Sequence, residues 1–173
     1  MAQVNIREKV EEIYKEVLIE LHKCGLTANT GNVFQTGSCL VEGVENPEDL
    51  DFVVLQEGET SRIMFGERLL EEGWKNLSEH GNYPTGDVIV MEKHVEGVKV
   101  NLLIVRDMIS YLWMHSATQL MVTLGLKEKW QRYELFRSMD SIVFTAHQYG
   151  YSDSKKEHLT IKEEENSGIK MPF

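Results

Sequence analysis

At 173 residues, with 42% hydrophobic and 9% aromatic side chains, the chain can bury the core of one domain, and its composition excludes a disordered protein. Lys and Arg number 18 against 28 Asp and Glu, a net charge of −10. So acidic a surface is a poor general ligand for nucleic-acid backbones, which points the search for partners away from long nucleic acids.

Two cysteines, Cys24 and Cys39, lack metal-ligand spacing. They support neither a disulfide framework nor a zinc site and suit a reducing cytoplasm. No run approaches the length of a membrane span, and residues 1–7 carry no apolar signal region. The expectation is a soluble cytoplasmic protein without a membrane partner.

The first element is an amphipathic helix. Ile6, Val10, Ile13, Val17, Leu21 and Cys24 form one stripe, with Asn5 as cap and Gly25 as terminator. Glu8, Glu11, Glu12, Lys15 and Glu16 lie on its solvated face. A Thr-, Asn- and Gly-rich loop over 26–32 leads to a short strand at Val33 and Phe34, which stops at Gly37-Ser38. A loop holding Glu42, Gly43, Asn46 and Pro47 follows, and a second strand opens as Asp49-Leu50-Asp51 and runs to Leu55.

Strand side chains alternate between faces, so Asp49 and Asp51 point one way while Leu50, Phe52 and Val54 point the other, towards a core. Paired carboxylates repel each other, and a hard divalent ion relieves them; Mg2+ usually takes one or two protein carboxylates plus phosphates and water. A Gly-Ser corner lets backbone N–H groups approach a phosphate, because glycine has no Cβ in the way.

Beyond Leu55 the pattern predicts a helix over 61–72 capped by Ser61, with a mixed stripe of Ile63, Met64, Glu67 and Leu70 and with Phe65 and Leu69 beside it. Residues 75–86 read as the longest loop. Strands are expected over 87–92 and 98–105, joined by a tight turn at Val95-Glu96-Gly97. Two helices follow. Ile109, Leu112, Trp113, Ser116, Leu120 and Leu124 define the expected packing face of the first, which ends near Gly125. Leu135, Met139, Ile142, Ala146 and Tyr149 define that of the second. Residues 151–173 read as a polar tail with a short strand at Leu159-Thr160-Ile161.

Gly37-Ser38, ten residues, then Asp49-Leu50-Asp51 resembles the signature of the nucleotidyltransferase superfamily, which includes DNA polymerase β, the CCA-adding enzymes, aminoglycoside nucleotidyltransferases and the minimal nucleotidyltransferases. The resemblance implies an α+β fold with a mixed sheet flanked by helices. It implies a catalytic core over 1–106, a helical addition over 107–150 and the tail beyond.

The resemblance also implies an enzyme that moves a nucleoside monophosphate from a nucleoside triphosphate such as ATP to a small-molecule or protein hydroxyl. Mg2+ or Mn2+ would sit on Asp49 and Asp51, and Gly37 and Ser38 would meet the phosphates. The third carboxylate of the signature falls at Asn101, whose amide oxygen can ligate a metal but carries no charge and takes no proton. Lys99 shares its face and is placed to reach a phosphate or pair with an aspartate. Asn101 keeps a second expectation open: a catalytically inactive nucleotidyltransferase fold that binds a nucleotide or a protein. Among six histidines, only His115, with Gln119 one turn away, is placed to face a cleft.

Overall fold

The computed structural model describes residues 6–26, 32–45, 47–77 and 88–148, with Glu59 and residues 141–148 described by backbone alone. The Asn5 cap, residues 78–87, the lower end of the last helical stripe and the tail lie outside the described residues.

Helix α1, Ile6–Lys23, closes at Gly25 (φ 99°), where the N–H groups of Gly25 and Leu26 return to the carbonyls of His22 and Leu21. Strands β1, Val33–Thr36, and β2, Asp49–Leu55, flank a single 3-10 turn at Ser38–Leu40. Then come helix α2, Glu59–Glu71, and strands β3, Lys75–Asn76, β4, Ile89–Val95, and β5, Val98–Val105. Helices α3, Met108–Thr123, and α4, Lys129–Gln148, complete the described chain.

The strands form one five-stranded mixed sheet in the order β1-β2-β5-β4-β3. The central pair β2/β5 is parallel and every other neighbour is antiparallel. Central parallel strands are covered on both faces, which accounts for their dense apolar runs. On one face Leu50, Phe52, Val54, Val100, Leu102 and Ile104 pack against Ile13, Val17 and Leu21 of α1 and Phe65 and Leu69 of α2. On the other, Val53, Leu55, Leu103 and Val105 pack against Tyr111, Trp113, Met114 and Ala117 of α3, with Phe136 and Met139 of α4 alongside.

A polar tie locks the first face. Glu20 accepts hydrogen bonds from Trp74 Nε1 (2.9 Å) and Lys93 Nζ (2.6 Å), joining α1 to the sheet edge.

Several local expectations need correction. Helix α2 begins at Glu59 behind Gly58, and Ser61 lies inside its first turn, its hydroxyl accepting from Gln56 Nε2 at 2.6 Å. Its buried side is Arg62, Phe65 and Leu69, while Ile63, Met64 and Leu70 are exposed. Part of the expected loop over 75–86 is strand β3, which pairs Lys75 and Asn76 with Glu92 and Met91. Strand β4 continues to Val95, leaving a two-residue turn with positive φ at Glu96 and Gly97, the geometry favoured between twisted antiparallel strands.

The largest correction concerns α3. It buries Tyr111, Met114, Ala117, Thr118 and Met121 with Trp113, while Ile109, Leu112, Leu120 and Leu124 stay exposed. This helix is apolar nearly all round, so periodicity selects no face by itself.

Among the described residues, no helix is long and apolar enough to cross a membrane.

Candidate functional site

The site begins where β1 ends. Thr36 is buried and its hydroxyl stands 2.6 Å from that of Thr118 on α3, which in turn donates to the Met114 carbonyl at 2.9 Å. With the Thr118 proton spent, Thr36 is the donor in the first bond.

Gly37 follows with φ 83°. A Cβ at that position would overlap the Asp51 carboxylate, so both the backbone conformation and the close approach require glycine. The 3-10 turn through Ser38 then leads into the 41–48 loop. That loop is held from α1 by Arg7, which donates to the carbonyls of Val41 (2.6 Å) and Val44 (3.3 Å).

Strand pairing assembles the remaining groups. Asp51 lies opposite Thr36 on β1 and Asn101 on β5, and Asp49 lies opposite Lys99. Asn101 Nδ2 donates to Asp49 Oδ2 at 3.1 Å and to Asp51 Oδ1 at 2.9 Å. Lys99 Nζ makes an ion pair of 3.0 Å with Asp49 Oδ2. The amide therefore meets the acids with its donor end and bridges them.

Burial pushes the Asp51 carboxyl up to about 6, and the neighbouring Asp49 charge adds to the rise. The Asn101 hydrogen bond, Lys99 and Arg132 pull the other way. Lys99 is held above its ordinary value, first by its hydrogen bond to Asp49 and against partial desolvation, with the Asp49, Glu92 and Asp51 charges adding.

These groups open into a cleft of about 560 Å³, a volume within the usual range for small-ligand sites. Gly37, Ser38, Asp49, Asp51 and Asn101 line it on the sheet side; Lys99 is not among its lining residues. The opposite wall comes from the α3–α4 hairpin, with Trp113, Lys127, Lys129, Arg132, Tyr133 and Phe136. Arg132 Nη1 donates to the Leu126 carbonyl at 3.2 Å and to that of Lys127, pinning the hairpin turn. The Lys127 ammonium lies so close to the 41–48 loop that a Cβ on Gly43 would sit 2.6 Å from it. Glu45, Pro47 and Glu48 complete the rim.

The basic and aromatic wall is absent from the expectations drawn from sequence. Its only signal there is the grouping of Lys127, Lys129 and Arg132 just after Gly125 in an otherwise acidic chain. His115 and Gln119 are exposed and do not line the cleft; the His115 ring packs edge-on against Phe34 at 5.1 Å. Three further acids line the cleft, Glu45 and Glu48 at its rim and the buried Asp140 on α4, but among the described residues none converges with Asp49 and Asp51 as a metal-binding group. Glu92 lies opposite Asn101 on β4 but outside the lining, and Glu96 pairs with Lys9 at 3.0 Å. Among the described residues, no three His, Cys, Asp or Glu converge as a metal-binding group.

The donor set nevertheless suits a hard divalent ion. Two carboxylates on one strand face provide its usual protein share, and the missing Cβ of Gly37 makes room for the Asp51 carboxylate itself.

No family model matches the chain, and comparison with curated proteins finds no match. Among solved structures, it is similar to the conserved protein GrpB from Enterococcus faecalis at 15% identity, covering 80% of this chain and 94% of that one with a TM-score of 0.44. It is also similar to the Cid1 poly(U) polymerase described with Mg and 3′-dATP bound, at 18% identity over 73% of this chain and 38% of that one, TM-score 0.42. A third is a cytoplasmic RNA terminal U-transferase, at 18% identity over 68% and 34%, TM-score 0.40. The chain thus spans well under half the length of the latter two. The likenesses concern the fold alone.

Proposed function

We propose that this chain is a divalent-metal-dependent nucleotidyltransferase, passing a nucleoside monophosphate from a nucleoside triphosphate to a hydroxyl on a small molecule or a protein. One observation carries the reading: Asp49 and Asp51 stand together beside the Gly37-Ser38 corner and open into a cleft with a basic far wall.

In the reaction the acceptor oxygen bonds to the α-phosphorus as the bond from that phosphorus to the bridging oxygen breaks. Pyrophosphate leaves with the electron pair. Asp49 and Asp51 would hold Mg2+ or Mn2+, which supplies charge neutralisation for the triphosphate and activates a coordinated oxygen. Gly37 and Ser38 offer close backbone and a hydroxyl to the phosphates, and Lys127, Lys129 and Arg132 bring positive charge from across the cleft. Trp113, Tyr133 and Phe136 give the same wall aromatic surface for a planar base. The Asn101 amide takes no proton, which leaves the Asp49 and Asp51 carboxylates and solvent to receive the acceptor's.

The test is incubation with each α-labelled nucleoside triphosphate and Mg2+ or Mn2+, with and without small hydroxyl acceptors. Label transfer with pyrophosphate release is expected, and Asp51→Asn should reduce it by roughly 1,000-fold, about 4 kcal/mol of barrier. Absence of pyrophosphate with every acceptor, the protein itself included, would defeat the proposal.

Asn101 favours a second reading, a catalytically inactive nucleotidyltransferase fold that binds a nucleotide or a protein partner. That reading expects nucleotide binding with little metal dependence, unchanged by Asp51→Asn.

A further inference from the structure

Asp49 and Asp51 are already bridged by groups of this chain. Asp49 Oδ2 receives both the Lys99 ammonium at 3.0 Å and the Asn101 amide at 3.1 Å, and the same amide nitrogen reaches Asp51 Oδ1 at 2.9 Å. These contacts follow from strand register, because Lys99 lies opposite Asp49 and Asn101 opposite Asp51 across the parallel pair β2/β5. The acids therefore face two donors supplied by the sheet itself.

An ordinary two-ion centre needs enough anionic oxygen to bridge and separate two dications. Here the sheet offers two carboxylates, an amide turned donor-first and a tethered ammonium. A second dication beside Asp49 would meet the Lys99 charge at close range, and like charges at such distances repel strongly in a partly desolvated cleft.

We infer that Lys99 and Asn101 take the place of one of the two ions, so that this site binds a single divalent ion with its nucleotide. The inference rests on the transferase reading, but it concerns the number of ions and not the reaction. Lys99 supplies permanent positive charge beside Asp49, and Asn101 keeps the two acids at a fixed spacing. An ammonium is a point charge and not a Lewis acid, so the chemistry that needs a metal falls to the one ion retained.

Counting ions tests it without any turnover. The full chain is equilibrated with Mn2+ and each of the four α,β-imido nucleoside triphosphates. Bound nucleotide is measured by equilibrium dialysis and bound Mn2+ by electron paramagnetic resonance. One Mn2+ per bound nucleotide is expected, rising to two in the double variant Lys99→Met, Asn101→Asp. Two ions per nucleotide in the unaltered chain overturn the inference and leave the transferase reading standing. A nucleotide bound without any ion overturns it and favours the binding-module reading, while failure to bind any nucleotide removes both. A double variant that folds, binds nucleotide and still holds one ion also overturns it, since the replaced side chains would then not be what excludes the second.

Discussion

The two faces of the sheet are built from alternate residues of the same strands, yet they end in opposite conditions. On the face under α1 and α2, apolar side chains run the whole length of β2 and β5, and Leu50, Phe52, Val54, Val100, Leu102 and Ile104 are fully buried. On the face under α3 and α4 the apolar cover reaches only Val53, Leu55, Leu103 and Val105. The first residues of each strand on that face are Asp49, Asp51, Lys99 and Asn101, all half-buried, and all but Lys99 line the cleft. The difference shows how a small fold holds charge in place. One dry face anchors the strands from behind, so the other can spare two turns of the pleat for acids that repel each other. Phe52 sits between Asp51 and Val53 and belongs to the anchor.

The comparison is broken most severely from the dry side. Phe52 is fully buried and its ring packs at 5.4 Å from that of Tyr14 on α1. Phe52→Ala should cost about 3–5 kcal/mol, read as a lower denaturation midpoint with an unchanged slope. A loss below about 1 kcal/mol would mean that this face does not anchor β2.

The cleft side should respond to pH with the opposite sense from most acids. The folded value of Asp51 is about 6, above the ordinary 3.8. The folded chain therefore binds this proton more tightly than the unfolded chain does, and the resulting stability is fully present below about 4 and is lost as pH rises through about 6. The cost of holding Asp51 ionised amounts to at most about 3 kcal/mol, and to less where solvent relaxes around a half-buried carboxylate. Melting curves in the presence of a chelator should show this group eroding stability between pH 4 and pH 6. Asp51→Asn should remove that component and melt higher than the unaltered chain at pH 7.5. If the substituted chain instead melts lower at that pH, the Asp51 charge is supported by its surroundings and not strained.

Much of this geometry is legible in the sequence because it rests on short-range rules. A two-residue period sets Asp49 and Asp51 apart from Leu50 and Phe52, and the Gly-Ser corner precedes them at fixed distance. The same alternation places Lys99 with Asn101. What stays illegible is set by groups that meet from far apart in the chain. Lys127, Lys129 and Arg132 reach the cleft only because the α3–α4 hairpin folds back over β2, and nothing local to them records it. The amide direction of Asn101 follows from having two carboxylates opposite it, which becomes visible only once strand register is known.

Helix α3 is the sharpest instance, because its own sequence misdirects. Leu112 falls on the expected packing stripe and is 54% exposed, while Met114, off that stripe, is almost fully buried against the sheet. The choice is made outside the helix. Asp107 caps its start by accepting from the Ser110 N–H at 2.7 Å, and Thr118 fixes its rotation through the hydrogen bond to Thr36. Those two ties turn Tyr111, Met114 and Met121 inward whatever the hydrophobic pattern on the far side. Leu112→Gln should accordingly change stability by no more than about 0.5 kcal/mol, since the two residues have similar helix propensity and the site lies at the surface. Measured by urea denaturation beside Phe52→Ala, it supplies the small end of the scale. A loss of about 2 kcal/mol or more at Leu112 would return that residue to a core, and the polar ties at Asp107 and Thr118 would no longer account for which face the helix shows the sheet.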